Sequence, residues 1–580
     1  MKSFGRLIQY VKPYTLFAIL APILMCLEVA MDLLQPMMMQ HIIDVGIAGQ
    51  DNGYVIKLGI YMLITAVVGL IGGVGCIVFS TRAAVHFATD IRRDVFRKTE
   101  QFSSQNTDRF GTGKLITIVT NDIAIVQQAF MMTLRVFVRG PLLFIGSVLI
   151  VWVTARELFP VLIVAIPILI VLIYYFSAKS SKLFAKVQKA MDRVNTRLQE
   201  TLAGIRVIKA FNRHEFEKGN FKMVNSELTK RNLSAEQVIF TLMPIMMFVV
   251  NLSVVAGLWL GAIKVNEGTL QVGVILAFIN YLNIMMMGLM TSSHVLNQIT
   301  RSFTSADRIV QVLDTEIDIK DRDHPVHTSD IRGEVEFSNV YFSYSKNGES
   351  VLINMSFKVK AGETVGIIGS TGSGKSTLVK LLPRLYDPDS GEILLDGVNI
   401  KDYPLESLRA ATGFVPQKAT LFSGTIEENV RFGKEEATTY EMEAAAHSAS
   451  ASEFIERFED RFAHELMQGA TNLSGGQKQR LTMARAFIRE PKILILDDST
   501  SAIDALSEAA VRKVLKTNQE NTTVFIISSK ISSVIDADKI LVVDDGMLEA
   551  SGTHEELLKR SEVYRHIYAT QSGKEAYIYE

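Results

Sequence analysis

Six stretches of this chain, about residues 15–39, 54–80, 128–153, 158–176, 236–263 and 270–295, are each apolar for the roughly 20 residues a helix needs to cross a bilayer. A soluble core has no room for so many uninterrupted apolar helices. The first half therefore reads as a membrane domain with lipid as its solvent. An even number of spans leaves both ends on one side, and that side follows from the basic residues, because cytosolic flanks carry the excess of Lys and Arg. The connection between spans four and five is dense in them from Lys179 to Arg231, whereas those after spans one, three and five hold little beyond Lys57, Arg156 and Lys264. Both termini are expected in the cytosol and the chain in the cell (inner) membrane.

The basic start and the apolar run from Thr15 to Leu27 continue through Glu28 and Asp32 without a small-residue cleavage site, so they read as a first span rather than a removable signal. Before it, Phe4, Leu7, Ile8 and Val11 recur at i, i+3, i+4, i+7 among Lys2, Arg6 and Lys12, the pattern of a helix lying in the interface. A frayed extension of span one fits equally. The cytosolic connections, about 81–115 and 177–234, keep helical periodicity. Taken as a helix down and a helix back, the second projects roughly 40 Å below the membrane. The polar turns at Ser104–Gly111 and Asn212–Glu217 are the expected tips.

Glu28 and Asp32 lie one turn apart near mid-membrane, where carboxylates are costly and face a cavity or a partner. They fit a site for a cationic ligand, and equally an ion pair with Arg135 or Arg139. Met residues are dense in the spans, among them Met37, Met38, Met39, Met285, Met286 and Met287; they suit either ordinary packing or an adaptable apolar cavity.

From about residue 330 onward the sequence reads as water-soluble α/β, so the whole-chain average of 48% apolar residues describes neither half. With 60 Lys and Arg against 61 Asp and Glu there is no basic excess for nucleic acid. Cys26 and Cys76 alone exclude a disulfide framework or a cysteine zinc site. Strands are expected at Val335–Phe342, Ser356–Lys360 and Thr364–Ile368. The last runs into Gly369, Ser370, Thr371, Gly372, Ser373, Gly374, Lys375 and Ser376, followed by Thr377, which matches the phosphate loop GxxxxGK[ST] in its strand-to-helix setting. Glycines let backbone N–H groups wrap a β-phosphate, Lys375 supplies a point charge, and the Ser376 hydroxyl helps hold Mg²⁺. The motif thus implies ATP and Mg²⁺.

A second strand, Lys492–Leu496, ends in Asp497 and Asp498, placing carboxylates at the edge of a parallel sheet where ligands bind. Asp497 is then the Mg²⁺ carboxylate of the Walker B type. Between the two motifs, Asn472 to Arg480 opens a helix continuing to about Ile488, with Ser474, Gly475, Gly476 and Gln477 exposing amides and a hydroxyl to an anion. One nucleotide does not need two full cradles. Two such domains facing each other, each offering Leu473–Gln477 to the γ-phosphate held by the other, resolve the excess.

Six spans with long cytosolic extensions, a phosphate loop, LSGGQ and Walker B together resemble the ATP-binding cassette (ABC) exporters in half-transporter form. The likeness covers nearly the whole chain. It implies an all-α six-helix transmembrane domain followed by an α/β nucleotide-binding domain with a helical subdomain. The expected boundaries are an elbow at 1–13, a membrane domain at 14–313, a linker at 314–332, the nucleotide domain at 333–571 and a polar tail at 572–580. By the same likeness Tyr344 stacks on adenine, Gln417 links Mg²⁺ to the membrane domain, Ser501–Asp504 is the D-loop, and the two tips are coupling helices, the second docking on the partner's nucleotide domain.

Two positions depart from the family. Its general base is a Glu after the Walker B Asp, and here that position is Asp498, one methylene shorter; its switch histidine falls at Ser529. A positioned base is worth about 10²- to 10⁴-fold, so the site on this chain's Walker motifs is expected to bind MgATP and hydrolyse it slowly. His464–Thr471 also departs from the family's acidic-basic pattern. With LSGGQ intact, the expected protein is the degenerate-site half of a heterodimeric multidrug exporter, with a second, non-identical half as partner and amphipathic, hydrophobic or cationic cargo. A homodimeric lipid or peptide exporter is the alternative, and an ATP-gated channel or regulator a further one.

Overall fold

The computed structural model describes residues 2–326, 331–345, 348–518 and 521–572. The chain divides into two compact units, Met1–Glu100 with Gly113–Thr315, and Gln101–Thr112 with Glu316–Glu580. Residues 327–330 of the expected linker and 573–580 of the expected tail lie outside the described residues.

Among the described residues of the first unit, six helices are long and apolar enough to cross a membrane. Their main segments are Thr15–His41, Asn52–Glu100, Ile123–Thr154, Phe159–Ala203, His214–Asn266 and Val272–Asp314. Leu63, Leu70, Val153, Phe248 and Trp259 stay exposed on them, an arrangement water penalises and lipid does not. Pro22, Pro36, Pro141, Pro167 and Pro244 sit inside these helices, as transmembrane helices tolerate. The Asn52–Glu100 helix has 49 residues. At 1.5 Å per residue it extends roughly 70 Å, more than twice a hydrocarbon core of about 30 Å.

The second reversal sits earlier in the chain than Asn212–Glu217. Gly204 ends the descending helix, a short helix follows at Ile205–Ala210, and Asn212 takes φ +50° just before the ascending helix begins at His214. The acidic density around Glu215 and Glu217 marks the first turn of that ascending helix, where the macrodipole favours carboxylates. Glu217 also pairs with Arg197 of the descending helix at 2.7 Å.

At the N-terminus an α-helix, Lys2–Leu7, passes into a 3₁₀ segment, Ile8–Tyr14, that contains Pro13. Its apolar stripe is divided: Leu7 and Val11 are buried, Phe4 packs edge-on against Phe303, and Ile8 is exposed. Tyr10 and Tyr14 donate to Asp94 and Asp90 at 3.1 and 2.8 Å, so protein contacts as well as the stripe fix the segment.

Arg139 lies against both intramembrane acids. Its Nη1 lies 3.1 Å from Glu28 and its Nη2 3.1 Å from Asp32. Both carboxylates are held by one guanidinium, and the partner is Arg139, not Arg135. Further along the same helix bundle, buried Asp122 accepts from Ser305 at 2.9 Å and from Arg308 Nε at 2.7 Å, tying helix three to helix six.

The second unit is α/β. Strands β1 (Val335–Phe342), β2 (Leu352–Val359), β4 (Ser390–Leu395) and β5 (Val398–Asn399) form an antiparallel sheet in the order β2-β1-β4-β5. Strands β3 (Thr364–Ile368), β6 (Thr412–Val415), β9 (Ile493–Asp497), β10 (Thr523–Ile527), β11 (Lys539–Asp544) and β12 (Met547–Gly552) form the main sheet. A short ribbon, β7 (Gly424–Thr425) with β8 (Glu465–Leu466), lies apart. The main sheet runs β12-β11-β3-β10-β9-β6, parallel except for β12. Its central strands are apolar on both faces, as a parallel sheet covered on both sides requires. Because β3, β10, β9 and β6 are neighbours in register, the loops leaving their carboxyl ends gather at one edge. The linker segment is strapped to this unit, with Val326 N–H donating to Asp402 O at 2.7 Å and Asp321 capping Leu405 N at 2.8 Å.

Candidate functional site

The loop after β3 needs glycine for a steric reason. A Cβ on Gly369 would lie 1.9 Å from the Val543 carbonyl oxygen, and Gly374 holds φ +96° at the start of the Lys375–Lys380 helix. The result is a wrapped loop around Lys375, whose ammonium donates to the Gly369 and Ser370 carbonyls at 2.9 and 2.6 Å. Burial pushes that ammonium below the ordinary lysine range, while Asp498 and Asp497 pull it back. A loop carbonyl is a weak partner for a buried cation, and phosphate oxygens are a better one.

Strand β9 delivers Asp497 buried at its carboxyl end, where Oδ1 accepts from the Ser376 hydroxyl at 2.6 Å. Burial raises the Asp497 carboxyl above its usual range against that hydrogen bond. A hydroxyl and a buried carboxylate side by side are the hard oxygen donors Mg²⁺ takes. Asp498, next in the chain, adopts φ +44°; its Oδ2 accepts from Gln417 Nε2 at 3.2 Å, and its Oδ1 is buried without a partner among the described residues. Gln417 arrives from the loop after β6, so the glutamine and the base-position acid meet across two strands.

One cleft of about 380 Å³ is bounded by Tyr344, Val351, Thr371, Gly372 and Gly374 to Thr377 of the phosphate loop, Gln417, Asp498, Ile527 and Ser529. The site residues expected around one nucleotide are thus brought together, except those of the signature. Ser474 to Gln477 stand elsewhere. Ser474 caps the Gly475–Phe487 helix in a reciprocal box with Gln477 and is exposed, while Gly476 packs toward the D-loop, its Cβ position 3.0 Å from Ala502 O. Gly475 has open space beside it.

Several connections escaped the motifs. Gln479 is buried and donates to Pro416 O at 3.1 Å, joining the signature helix to the segment before Gln417. Tyr344 bonds Thr377 Oγ1 through its hydroxyl at 2.9 Å and meets Tyr386 edge-on at 5.3 Å. The Tyr386 hydroxyl donates to Asp108 at 2.6 Å, so the Ser104–Phe110 helix, capped by Ser103 and closed by Gly111, touches the aromatic wall of the cleft. Burial and that carboxylate hold the Tyr386 phenol well above its usual range. Asn106 adds a bond to Asp318 at 2.6 Å. The polar turn around Ser104 pointed to this contact region, but nothing in the sequence singled out Tyr386.

Comparison with known proteins bears on the same regions. The family described as ABC transporter transmembrane region matches residues 18–289, and that described as ABC transporter matches residues 352–501. An ABC transporter ATP-binding protein of Bacillus subtilis, YfiB, is 40% identical over 570 residues, covering 98% of this chain and 99% of its own. One from Mycobacterium tuberculosis, MT1311, is 33% identical over 97% of both chains. A bacterial Atm1-family ABC exporter solved with ATP bound superposes with a TM-score of 0.77 at 25% identity, over 97% of this chain and 98% of that one.

Proposed function

Because this chain belongs to the ABC transporters, as a half-transporter with membrane and ATP-binding domains fused, we propose that it exports amphipathic compounds as one half of a heterodimer. Its own Walker site holds MgATP and turns it over slowly, and its signature helix completes the partner's site. One observation carries the reading: the cleft is lined by Lys375, Ser376 and Thr377, with Asp497 bonded to Ser376, but offers only Asp498 and Ser529 at the base and switch positions, while Ser474 and Gly475 stand exposed outside it. In this reading Tyr344 takes the base, Lys375 the phosphates, and Ser376, Asp497 and Gln417 hold Mg²⁺, which supplies charge neutralisation at the phosphates. Asp498 already spends one oxygen on Gln417, and its shorter stem leaves it farther from an attacking water.

Both termini and the nucleotide domain are assigned to the cytosol, with the domains divided at about residues 13, 313, 332 and 571. Closure of the paired nucleotide domains moves the membrane halves because ATP binds the closed state better than the open one. The second tip, with Phe211 three-quarters exposed, is assigned to the partner's nucleotide domain. Cargo selection by Glu28 and Asp32 loses part of its basis, since Arg139 already pairs with both; hydrophobic shape and the Met-rich spans then carry more of the selection. The test is ATPase of the purified chain without a second protein. Slow turnover that rises sharply on adding a half with Glu and His at the two positions is expected. Rapid turnover alone would favour the homodimeric exporter and overturn the division of labour.

A further inference from the structure

At the end of β10, Ser528 is the last residue tied to the sheet, its N–H donating to Ile367 O at 3.2 Å. Ser529 and Lys530 then lie exposed before the turn of helix at Ile531–Val534. Free backbone groups in such a loop ordinarily face water. Here they do not. The carboxamide of Gln571 spans the loop, with Nε2 donating to Ser529 O at 2.7 Å and Oε1 accepting from Ile531 N–H at 2.8 Å. Only one orientation of the amide satisfies both contacts.

The helix that carries Gln571, Glu562–Ser572, is itself anchored. Ser561, just before it, donates to Glu549 at 2.6 Å and accepts from Tyr564 N–H at 3.0 Å, and the buried Tyr564 hydroxyl meets His554 Nδ1 at 2.7 Å. So the fork reaches the loop from a fixed base. On one side of Ser529 lies the nucleotide cleft with Lys375, Gln417 and Asp498. On the other lies a second cleft of about 570 Å³, bounded by Ser370, Thr371, His566 and Gln571. Ser529 and Thr371 border both clefts.

We infer that Gln571 is a positioning residue for recognition of the terminal phosphate: it holds the Ser529 loop against the nucleotide cleft from behind. The inference rests on the reading that this cleft binds ATP. A serine hydroxyl reaches less far than an imidazole, so its contact with a phosphate oxygen depends more steeply on where the backbone sits. A displacement of about 1 Å is enough to lose most of such an interaction. A bidentate clamp on the flanking backbone is the physical means of preventing it.

The test uses the full-length chain in lipid nanodiscs and compares equilibrium binding of Mg²⁺ with ADP and with the β,γ-imido analogue of ATP. Gln571→Leu keeps the bulk and removes both bonds. It is expected to lower the preference for the triphosphate about three- to tenfold while ADP affinity stays within about twofold, because only the triphosphate reaches the loop. Ser529→Ala is expected to cause a loss of the same size, and the double variant no further loss, since both act through one contact. Equal weakening of both nucleotides, an unchanged preference, or losses that multiply in the double variant would each overturn the positioning role. If the unaltered chain binds neither nucleotide, the underlying reading fails; if it binds both and the variants behave alike, only this inference does.

Discussion

The nucleotide unit has two ends that a nucleotide would touch, and they are kept in very different condition. At the signature end, Ser474 and Gln477 form a complete reciprocal cap, Gly475 faces open space, and buried Gln479 ties the helix to the segment before Gln417. At the catalytic edge, Asp498 stands in a left-handed backbone with one buried oxygen unpartnered among the described residues, and the switch position is a serine held from behind. On the proposed reading, the intact end is the one this chain presents to its neighbour. The reduced end is the one it would use itself. That asymmetry is what the proposed two-chain machine with unequal sites would use.

The sharpest way to break the comparison is to damage the intact end. Ser474→Arg removes the cap and puts a bulky cation where phosphate oxygens should lie. The assembled pair should lose at least about 100-fold in ATPase, the scale of removing preorganised charge stabilisation from a reacting centre. Nucleotide binding at this chain's own phosphate loop should survive. A pair that keeps its turnover would mean the signature serves no active site, and the contrast between the two ends would lose its functional meaning.

The converse experiment repairs the reduced end. Asp498→Glu alone should raise the turnover of the isolated chain less than about threefold, because the switch position still lacks an imidazole. Adding Ser529→His should raise it further, toward the roughly 10²-fold that a positioned base contributes. Steady-state ATPase of the two variants side by side reads the difference. A full gain from Asp498→Glu alone would assign the slowness to one missing methylene rather than to the pair of departures.

Much of this contrast was legible in the sequence because the motifs are local. A phosphate loop, a strand-terminal acid pair and a small-residue helix start each need only a few consecutive residues, and β1 and β3 span the residues expected of them. The six spans were legible for the same reason, since hydropathy is a property of a window. What was hidden depends on partners far apart in the chain. Tyr386 finds Asp108 across 278 positions and Gln571 finds Ser529 across 42, and neither pair shares a motif. The second reversal was misplaced because polar residues that favour a helix start read, without coordinates, like a turn.

A smaller effect is expected where the first tip meets the aromatic wall. Tyr386→Phe keeps the ring that packs on Tyr344 and removes only the bond to Asp108. A hydrogen bond to a charged group is worth roughly 1.5–3 kcal/mol, so the link between this tip and the cleft should weaken by about tenfold or more. ATP affinity should change little, while the transport coupled to each ATP should fall, measured as cargo moved per phosphate released in proteoliposomes. An unchanged ratio would remove Tyr386 from the path between the two.

The smallest effect expected lies away from both ends, in the helix Thr439–Ser448, and shows that local order here also rests on charge. Glu441 completes a capping box with Thr438 and pairs with Lys434. These contacts, the lysine first, hold its carboxyl down at about 2 from an ordinary 4.5. A carboxyl depressed in the folded state stabilises it at every pH above its unfolded value and loses that contribution as pH falls toward the folded one. The window is therefore about 4.5 down to 2. Glu441→Gln keeps the shape without the charge, so the melting temperatures of the two proteins should differ by a constant amount from pH 7 to about 5 and converge below it. Because the residue is only half-buried the gap is small, and screening by salt should narrow it. A gap that persists unchanged to pH 3 would show that the cap's hydrogen bonds, not its ionised carboxylate, hold this helix start, and that charge matters at the nucleotide ends alone.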